Sequence, residues 1–337
     1  MQCKTVSFIK CVASSSFALL LGALLLVGEV CDAQAQRPAP VTVTAAVIGV
    51  TVSIWPAIVA RDKGYFEEEG IRVDFVTAGA SARTLQQVAA GVAHVGSSSM
   101  VDTVRAIEAG ADVTVFTNSL AVGTHSLIAA KSIKSVRDLK GKRIMTGGQG
   151  DITNLWWQAM ARHFGVDPAK DVQLLFSGST ANRMSALFAG GVEATILSTP
   201  QSFKAIEEGW TDLGPVAPYL GEFPMMIWHV NTDWAKVNEK LLVAFVRAHN
   251  KAVRYMTDPA HRAEVSEMLA KASSSSVDDA LKTWDVCMKI NAYVPNGRVA
   301  DSAVVRVTET LLAAGDIKSA KPAAAYFEQR YVNAVGQ

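Results

Sequence analysis

Hydrophobic and polar positions alternate along the chain with two different periods from residue 41 onward. Short runs rich in Val, Ile and Thr are typical of β-strands, and they lie at 41–48, 71–76, 92–96, 113–117, 143–146 and 225–230. Between them, apolar residues recur every three or four positions, as in amphipathic helices, and several of these segments end at a glycine. This alternation predicts an α/β fold with mostly parallel sheets and helices on both faces.

Helical periodicity dominates the C-terminal part of the chain. It predicts helices at 239–256, 262–272, 277–288 and 300–314. The serine run 273–276 is too short for a flexible linker. We interpret it as a turn in which Ser276 is the N-cap of the next helix.

One order of elements occurs twice, roughly 100 residues apart. Each copy predicts a helix, a strand, a loop of small residues, and then the same three elements again. The copies begin at Trp55 and Trp156. Two similar α/β units predict two similar lobes, and the cleft between lobes is a common place for a small ligand.

The first 35 residues have the parts of a secretory signal peptide: a positively charged start, an apolar run at 17–27 and Ala-Gln-Ala at 33–35. The apolar run is shorter than the ~20 residues that span a bilayer, which disfavours an uncleaved anchor. A lipoprotein would need a small residue before Cys31, where a valine stands. We therefore predict cleavage of residues 1–35, a mature chain that begins at Gln36, and a periplasmic protein.

Composition and charge set further limits. The 337 residues are 50% hydrophobic and carry a net charge of +1 without a basic cluster, which argues against nucleic acid as a partner. Three of the four cysteines lie in the predicted signal peptide, so the mature monomer can have no disulfide. The remaining one, Cys287, is predicted to be a buried thiol rather than a nucleophile.

Six loops carry Gly, Ser or Thr directly before a predicted helix. At the carboxyl ends of parallel strands such loops bind ligands, and free N–H groups together with the helix dipole favour an anion. Ser and Thr are also the ordinary N-cap residues of any helix. Because six such loops recur in a two-unit pattern, we favour a ligand cleft over capping alone. The loops are 51–53, 79–81, 97–99, 148–153, 177–180 and 198–199.

Five further residues each allow two interpretations. His125, near the predicted crossing between lobes, is either a hinge residue facing solvent or a ligand contact. Asp151 either meets an amine in the cleft or stabilises a helix start. Trp55 either packs in the core or covers an apolar part of a ligand. Arg83 and Arg183 hold matching places in the two copies and either clamp an anion or, as we expect, face solvent.

Patterns of several enzyme classes are absent from the sequence. The six histidines form no close metal-binding pair, and there is no Gly-x-Ser-x-Gly motif. The glycines at 147–150 are not followed by Gly-Lys-Ser/Thr, so a nucleotide cofactor is weakly supported. We therefore predict no cofactor, no metal and no catalytic residue.

The segment PAIVARDKGYF at 56–66, followed by EGIRV at 69–73, resembles the start of nitrate-, sulfonate- and taurine-type substrate-binding proteins of ABC importers. This group is related to the thiamine-pyrimidine-precursor proteins. The segments at 89–92, 133–143 and 189–194 fit the same family. The similarity covers residues 41–230, and the helical C-terminus is compatible with it.

The resemblance implies a two-lobed periplasmic binding protein fold of type II. Residues 41–123 plus 227–337 would form the first lobe and residues 124–226 the second, with the ligand between them. Lobe closure would signal to an ABC permease, and we expect a monomer. The family's contact positions map onto Ser53, Ser81, Ser98, Thr153, Thr180 and Ser198.

We expect the ligand to be a small organic anion or zwitterion, such as a sulfonate or carboxylate. Basic groups typical of nitrate or sulfonate sites are not obvious in the loops, and Thr199-Pro200-Gln201 departs from the second lobe's acceptor pattern. Two other functions stay open. One is a sensor subunit that passes its ligand to a receptor. The other is an enzyme of the pyrimidine-precursor synthase or dehydratase type, although this chain lacks the cysteine-rich run of the synthase.

Overall fold

The computed structural model describes residues 39–178 and 180–336, and the predicted signal peptide lies outside these residues. The strands are β1 (Val41–Val47), β2 (Ile71–Thr77), β3 (Val95–Ser99), β4 (Val113–Leu120), β5 (His125–Ala129), β6 (Arg143–Thr146), β7 (Gln173–Phe176), β8 (Ala194–Ser198), β9 (Thr211–Pro215) and β10 (Met226–Asn231). The α-helices are α1 (Trp55–Asp62), α2 (Tyr65–Glu68), α3 (Ser81–Ala89), α4 (Met100–Glu108), α5 (Ile152–His163), α6 (Thr180–Phe188), α7 (Gln201–Glu207), α8 (Thr232–Val237), α9 (Glu239–Thr257), α10 (Arg262–Ser273), α11 (Val277–Lys289), α12 (Asp301–Ala313) and α13 (Arg330–Asn333). Short 3-10 helices lie at Val52–Ile54, Val136–Leu139, Ala217–Leu220, Pro259–His261 and Ala323–Ala325.

The strands form two five-stranded sheets with the same topology. The first sheet has the order β2-β1-β3-β10-β4 and the second β7-β6-β8-β5-β9. In each sheet one strand, β10 or β5, runs antiparallel to its two neighbours. The chain enters the second sheet through β5 and returns to the first sheet through β10. The prediction of mostly parallel sheets in a two-lobed α/β fold is confirmed.

We call each sheet with the helices packed on it a lobe. The residue boundaries predicted above, 41–123 plus 227–337 and 124–226, stay a prediction. Two predicted loops are corrected: Ser198 is the last residue of β8, and residues 97–99 form the end of β3, every residue of which is buried. Its sequence, Val-Gly-Ser-Ser-Ser, lacks the β-branched residues that mark a strand in a sequence.

The C-terminal helices are fixed to the first lobe by aromatic packing. Phe245 of α9 contacts the rings of Phe66, Phe116 and Trp228, with centroids 5.1–5.5 Å apart. Burying each such side chain stabilises the fold by roughly 1.5–3 kcal/mol. Trp284 of α11 then donates a hydrogen bond to a carbonyl at the end of α9 at 2.7 Å. The pair α10 and α11 is therefore a fixed part of the first lobe.

In the part of the chain that the structure describes, no helix combines the length and the apolar character needed to cross a membrane.

Candidate ligand-binding site

A cavity of about 490 Å³ lies where loops of the two lobes meet. A larger groove of about 820 Å³ runs along α5 and β7, but it belongs to one lobe and contains none of the predicted site residues. We take the smaller cavity as the candidate site because matching loops of both repeats line it. Eight of the nine predicted residues are among its lining residues: Ser53, Trp55, Ser81, His125, Asp151, Thr153, Thr180 and Ser198. Their contact with a ligand stays a prediction.

Ser98, the ninth predicted residue, does not line the cavity. Successive side chains of a strand point to opposite faces, and it is Ser99 that faces the cavity. Ser98 is fully buried, and its Oγ lies 2.7 Å from Thr103 Oγ1 and 2.9 Å from His229 Nδ1. The structure therefore gives Ser98 a place in a buried hydrogen-bond network, and Ser99 its predicted place in the cavity wall.

Arg183 places a buried positive charge in the cavity wall. Its side chain, 2% exposed, donates to the carbonyls of Ile196 and Ser177, each at 3.0 Å, and to Thr180 Oγ1 at 3.0 Å. No carboxylate pairs with it among the described residues. Our expectation that both matched arginines face solvent holds for Arg83 and is wrong for Arg183. Arg83 is the third residue of α3 and Arg183 the fourth residue of α6, and a shift of one position turns a side chain by about 100° around the helix.

Charges around Arg183 partly balance the cost of its burial. Burial lowers the pKa of Arg183, and the negative charge of Asp151 acts in the opposite direction. Asp151 Oδ1 itself accepts hydrogen bonds from the backbone N–H of Thr153 at 2.9 Å and from its hydroxyl at 2.5 Å. Asp151 is thus the N-cap of α5, as one of its two interpretations proposed. Its use for an amine ligand stays a prediction.

His125 is a neutral polar group in the same wall. Its ring lies 4.9 Å from that of Trp156, and its Nδ1 is buried without a hydrogen-bond partner in the described structure. Burial, with a smaller contribution from the charge of Arg183, lowers the pKa of His125 to about 3. The hinge interpretation with a solvent-facing ring is therefore wrong. Orphaned buried polar atoms are uncommon in native proteins.

The hydroxyl groups around the cavity are not equally free. The Thr153 hydroxyl is used within its own loop, since it donates to Asp151 and accepts from the Gly147 N–H at 2.7 Å. The hydroxyl of Ser198, in contrast, has no partner among residues 39–178 and 180–336. Gln201, at the start of α7, also lines the cavity, and its Oε1 is buried without a partner there. The Ser198 hydroxyl therefore keeps hydrogen-bonding capacity for a ligand, whereas Gln201 Oε1 is enclosed by protein.

Two helix N-termini point at this cavity from matching positions of the repeats. Ser81 is the first residue of α3 and Thr180 the first of α6, and both line the cavity. The unpaired N–H groups of a helix start carry a partial positive charge. Together with Arg183 they make this wall attractive to an anion.

The sequence missed a third wall, formed by α10, α11 and their connecting turn. Its lining residues are Ser273, Ser275, Ala280 and Thr283. The serine run did predict a turn, and Ser276 caps α11 as predicted, with its Oγ accepting from the Asp279 N–H at 3.0 Å. No local signal showed that this turn meets loops some 200 residues earlier in the chain, because such contacts depend on the packing of α9–α11 on the first lobe.

Among the described residues, no three His, Cys, Asp or Glu side chains are grouped so that they could hold a metal ion. Cys287 is buried and free, as predicted, and burial raises its pKa to about 12. A thiol with so high a pKa is a poor nucleophile.

Comparison with known proteins gives the chain a family. The family model described as "NMT1/THI5 like" matches residues 51–263. The chain belongs to the NMT1/THI5-like family. This assignment agrees with the resemblance to substrate-binding proteins that the sequence predicted.

Relatives of this NMT1/THI5-like chain include binding proteins and enzymes. The Bacillus subtilis protein YtlA, named as a candidate binding protein, is 25% identical over 245 residues, which covers 69% of this chain and 72% of YtlA. A 4-amino-5-hydroxymethyl-2-methylpyrimidine phosphate synthase of Schizosaccharomyces pombe is 29% identical over 116 residues, covering 34% of this chain and 33% of the synthase. The synthase match is therefore partial.

Two solved structures show the fold that this family member shares. The alkanesulfonate-binding protein SsuA of Xanthomonas axonopodis pv. citri, bound to MOPS, has a TM-score of 0.69 at 17% identity and covers 86% of this chain and 99% of its own. The periplasmic nitrate-binding protein NrtA of Synechocystis PCC 6803 has a TM-score of 0.72 at 12% identity, with coverages of 88% and 89%. At these identities the likeness concerns the fold.

Proposed function

We propose that this protein is the periplasmic substrate-binding component of an ABC importer and that it captures a small organic anion. The observation that carries the proposal is the buried guanidinium of Arg183 in a cavity wall, with no carboxylate paired to it in the described residues. A buried charge is costly unless it is paired. An anionic ligand would supply the missing partner and be held by a charge-assisted hydrogen bond or a close ion pair.

The size and lining of the cavity favour an organic anion over nitrate. About 490 Å³ lies in the range of sites for organic ligands, roughly 300–1,000 Å³. Ile48, Val52, Leu120, Met225 and Met226 line it beside the polar groups. Their side chains would contact an apolar part of the ligand. We therefore propose a sulfonate or carboxylate with a short hydrocarbon or aromatic portion, and Trp55, 4% exposed, as one of the surfaces that cover it.

Transport, rather than chemistry, is the function that the site supports. Within the described residues the cavity holds a neutral His125, a capping Asp151 and hydroxyls, with no pair of carboxylates and no activated thiol. The predicted signal peptide at 1–35 and the family's binding proteins support a periplasmic protein that delivers its ligand to a permease. The partial synthase match makes an enzyme the alternative to test.

A thermal-shift panel tests the proposal on the mature chain from Gln36. We expect sulfonates and carboxylates to raise the melting temperature, since a ligand at 100 times its Kd adds about 2.7 kcal/mol to stability. Nitrate, amino acids and polyamines complete the panel. Stabilisation by polyamines and by no anion or zwitterion would contradict the proposal and assign the central role to Asp151. Conversion of a stabilising compound into a product would instead indicate the enzyme alternative.

A further inference from the structure

The third wall of the cavity differs from the other two because it belongs to neither repeat. It consists of the end of α10, the turn after it and one face of α11. Ala280 and Thr283 lie one turn apart on that face, and the two residues are 2% and 1% exposed. Residues three apart on a helix lie side by side. This face is therefore a small, continuous part of the cavity surface.

The third wall is held in place by specific contacts with the first lobe. After α11, the Tyr293 hydroxyl donates to the Val52 carbonyl at 2.8 Å, in a loop that also lines the cavity. Within α10, the hydroxyl of its last residue, Ser273, donates to the Leu269 carbonyl at 2.7 Å and so fixes the end of that helix. Trp284 is anchored to the end of α9, as described above. A wall fixed in this way keeps its shape when a ligand enters, so its side chains can discriminate by size.

The two α11 side chains that line the cavity are of different kinds. Ala280 presents a single methyl group where any larger residue would occupy ligand space. Thr283 presents a hydroxyl that has no hydrogen-bond partner among the residues the structure describes. None of the anion-attracting groups described above, Arg183 and the starts of α3 and α6, lies on this wall. The wall thus offers room and the neutral hydroxyls of Ser273, Ser275 and Thr283 rather than a charged side chain.

We propose that Ala280 and Thr283 on α11 determine how long an apolar portion the ligand can have. The small side chain of Ala280 leaves space for the far end of the ligand's hydrocarbon portion, and Thr283 limits the size of that space. This inference rests on the proposed function and adds the element that selects among organic anions. Larger side chains on this face reduce the length of the longest ligand that fits, and smaller side chains increase it.

Calorimetric titration with linear alkanesulfonates, from methanesulfonate to octanesulfonate, tests the proposal. For Ala280→Leu we expect the longest ligand that the natural protein accepts to lose at least about tenfold in affinity, while methanesulfonate changes by less than about twofold. Thr283→Ala should act in the opposite direction and move the optimum to a longer chain. Val277→Leu is the matched control, because Val277 begins the same helix, is 44% exposed and does not line the cavity.

The outcomes separate this proposal from the proposed function. If the natural protein binds the series but the length profile of both cavity variants is unchanged, the role of α11 is wrong and the proposed function stands. Equal weakening of all ligands by both variants would also overturn it, since that result indicates general damage to the site. If neither a sulfonate nor a carboxylate binds the natural protein, the proposed function fails, and this assignment fails with it.

Discussion

Arg183 and Arg83 hold matching places in the two sequence repeats, but Arg83 is the third residue of its helix and Arg183 the fourth, and their surroundings differ. Arg83 is exposed on α3, whereas Arg183 is buried behind the start of α6 and donates to carbonyls of the adjoining loop and strand. A sequence shows the match of positions. It does not show which of the two side chains finds free carbonyls nearby, because this depends on how α6 packs against β8.

We predict that Arg183→Lys weakens anion binding at least about tenfold and also lowers the free energy of unfolding. Lysine keeps the charge but lacks the planar fork of donors, so some of the carbonyls now bonded to Arg183 are left unpaired. Each unpaired buried group costs about 1–3 kcal/mol. Urea unfolding and calorimetric titration measure the two effects. Arg83→Lys is the control, and equal effects of the two substitutions would contradict the role given to Arg183.

At the scale of elements, the sequence predicted the strands and helices with strong periodicity and missed those without it. β1, β2 and β6 are rich in Val, Ile and Thr and were placed to within a residue or two. β9, with the sequence Thr-Asp-Leu-Gly-Pro, has no such pattern and lies at a sheet edge. Edge strands tolerate Gly and Pro, but in a sequence these residues predict a turn, so the strand was missed.

The candidate site was predictable to a similar degree and for a similar reason. Loops before helices are local features, so eight of the nine predicted residues line the cavity. The prediction that Ser98 lines the cavity was wrong because it treated the end of β3 as a loop. In a strand, a shift of one residue places the side chain on the opposite face. The third wall was not predicted from the sequence because it depends on long-range packing of the C-terminal helices.

An ion pair links the third wall to the second lobe. Lys282 of α11 lies 2.7 Å from Glu207 of α7 and 2.8 Å from Asp278 of its own helix. Hydrogen bonds to Asp278 and then Glu207 raise the pKa of Lys282, so its ammonium group stays charged at neutral pH. The bond to Glu207 requires the two lobes to be close together. It therefore favours the conformation in which the cavity is enclosed.

We predict that Lys282→Met increases the ligand dissociation rate by roughly threefold or less, because exposed ion pairs are weak. The effect should shrink at high salt, since screening weakens the pair in the natural protein as well. Stopped-flow measurement of ligand release gives the rate. Lys236→Met is the matched control, because Lys236 pairs with Asp233 within α8. An unchanged rate in low salt for Lys282→Met would show that this contact has no part in lobe closure.

At the scale of the whole molecule, three buried histidines make stability depend on pH. Burial lowers the pKa of His125 and His229 to about 3 and that of His249 to about 4, all from an ordinary value of 6.5. At pH values between these lowered pKa values and 6.5, the unfolded chain binds more protons than the folded one. Stability therefore rises with pH in this window and is lost as the pH falls below 6.5.

We predict that the free energy of unfolding falls by as much as about 4 kcal/mol per pH unit below pH 6, since each histidine contributes about 1.4 kcal/mol per unit. His249→Phe should reduce this slope by about a third, and the new ring can stack on Phe245 as the imidazole does. His163→Phe, at an exposed position, is the control. Urea unfolding from pH 5 to 7 gives the slope, and a flat profile for the natural protein would contradict the burial of neutral histidines.

The central claim is that the cavity beside Arg183 binds one organic anion and releases it unchanged. Native mass spectrometry of the mature protein with an alkanesulfonate tests it most directly, because it reports the number of bound molecules and their mass together. We predict one ligand per chain, recovered with its original mass, and loss of the complex in Arg183→Met. A ligand recovered with an altered mass, a covalent adduct, or a complex that survives Arg183→Met unchanged would contradict the account.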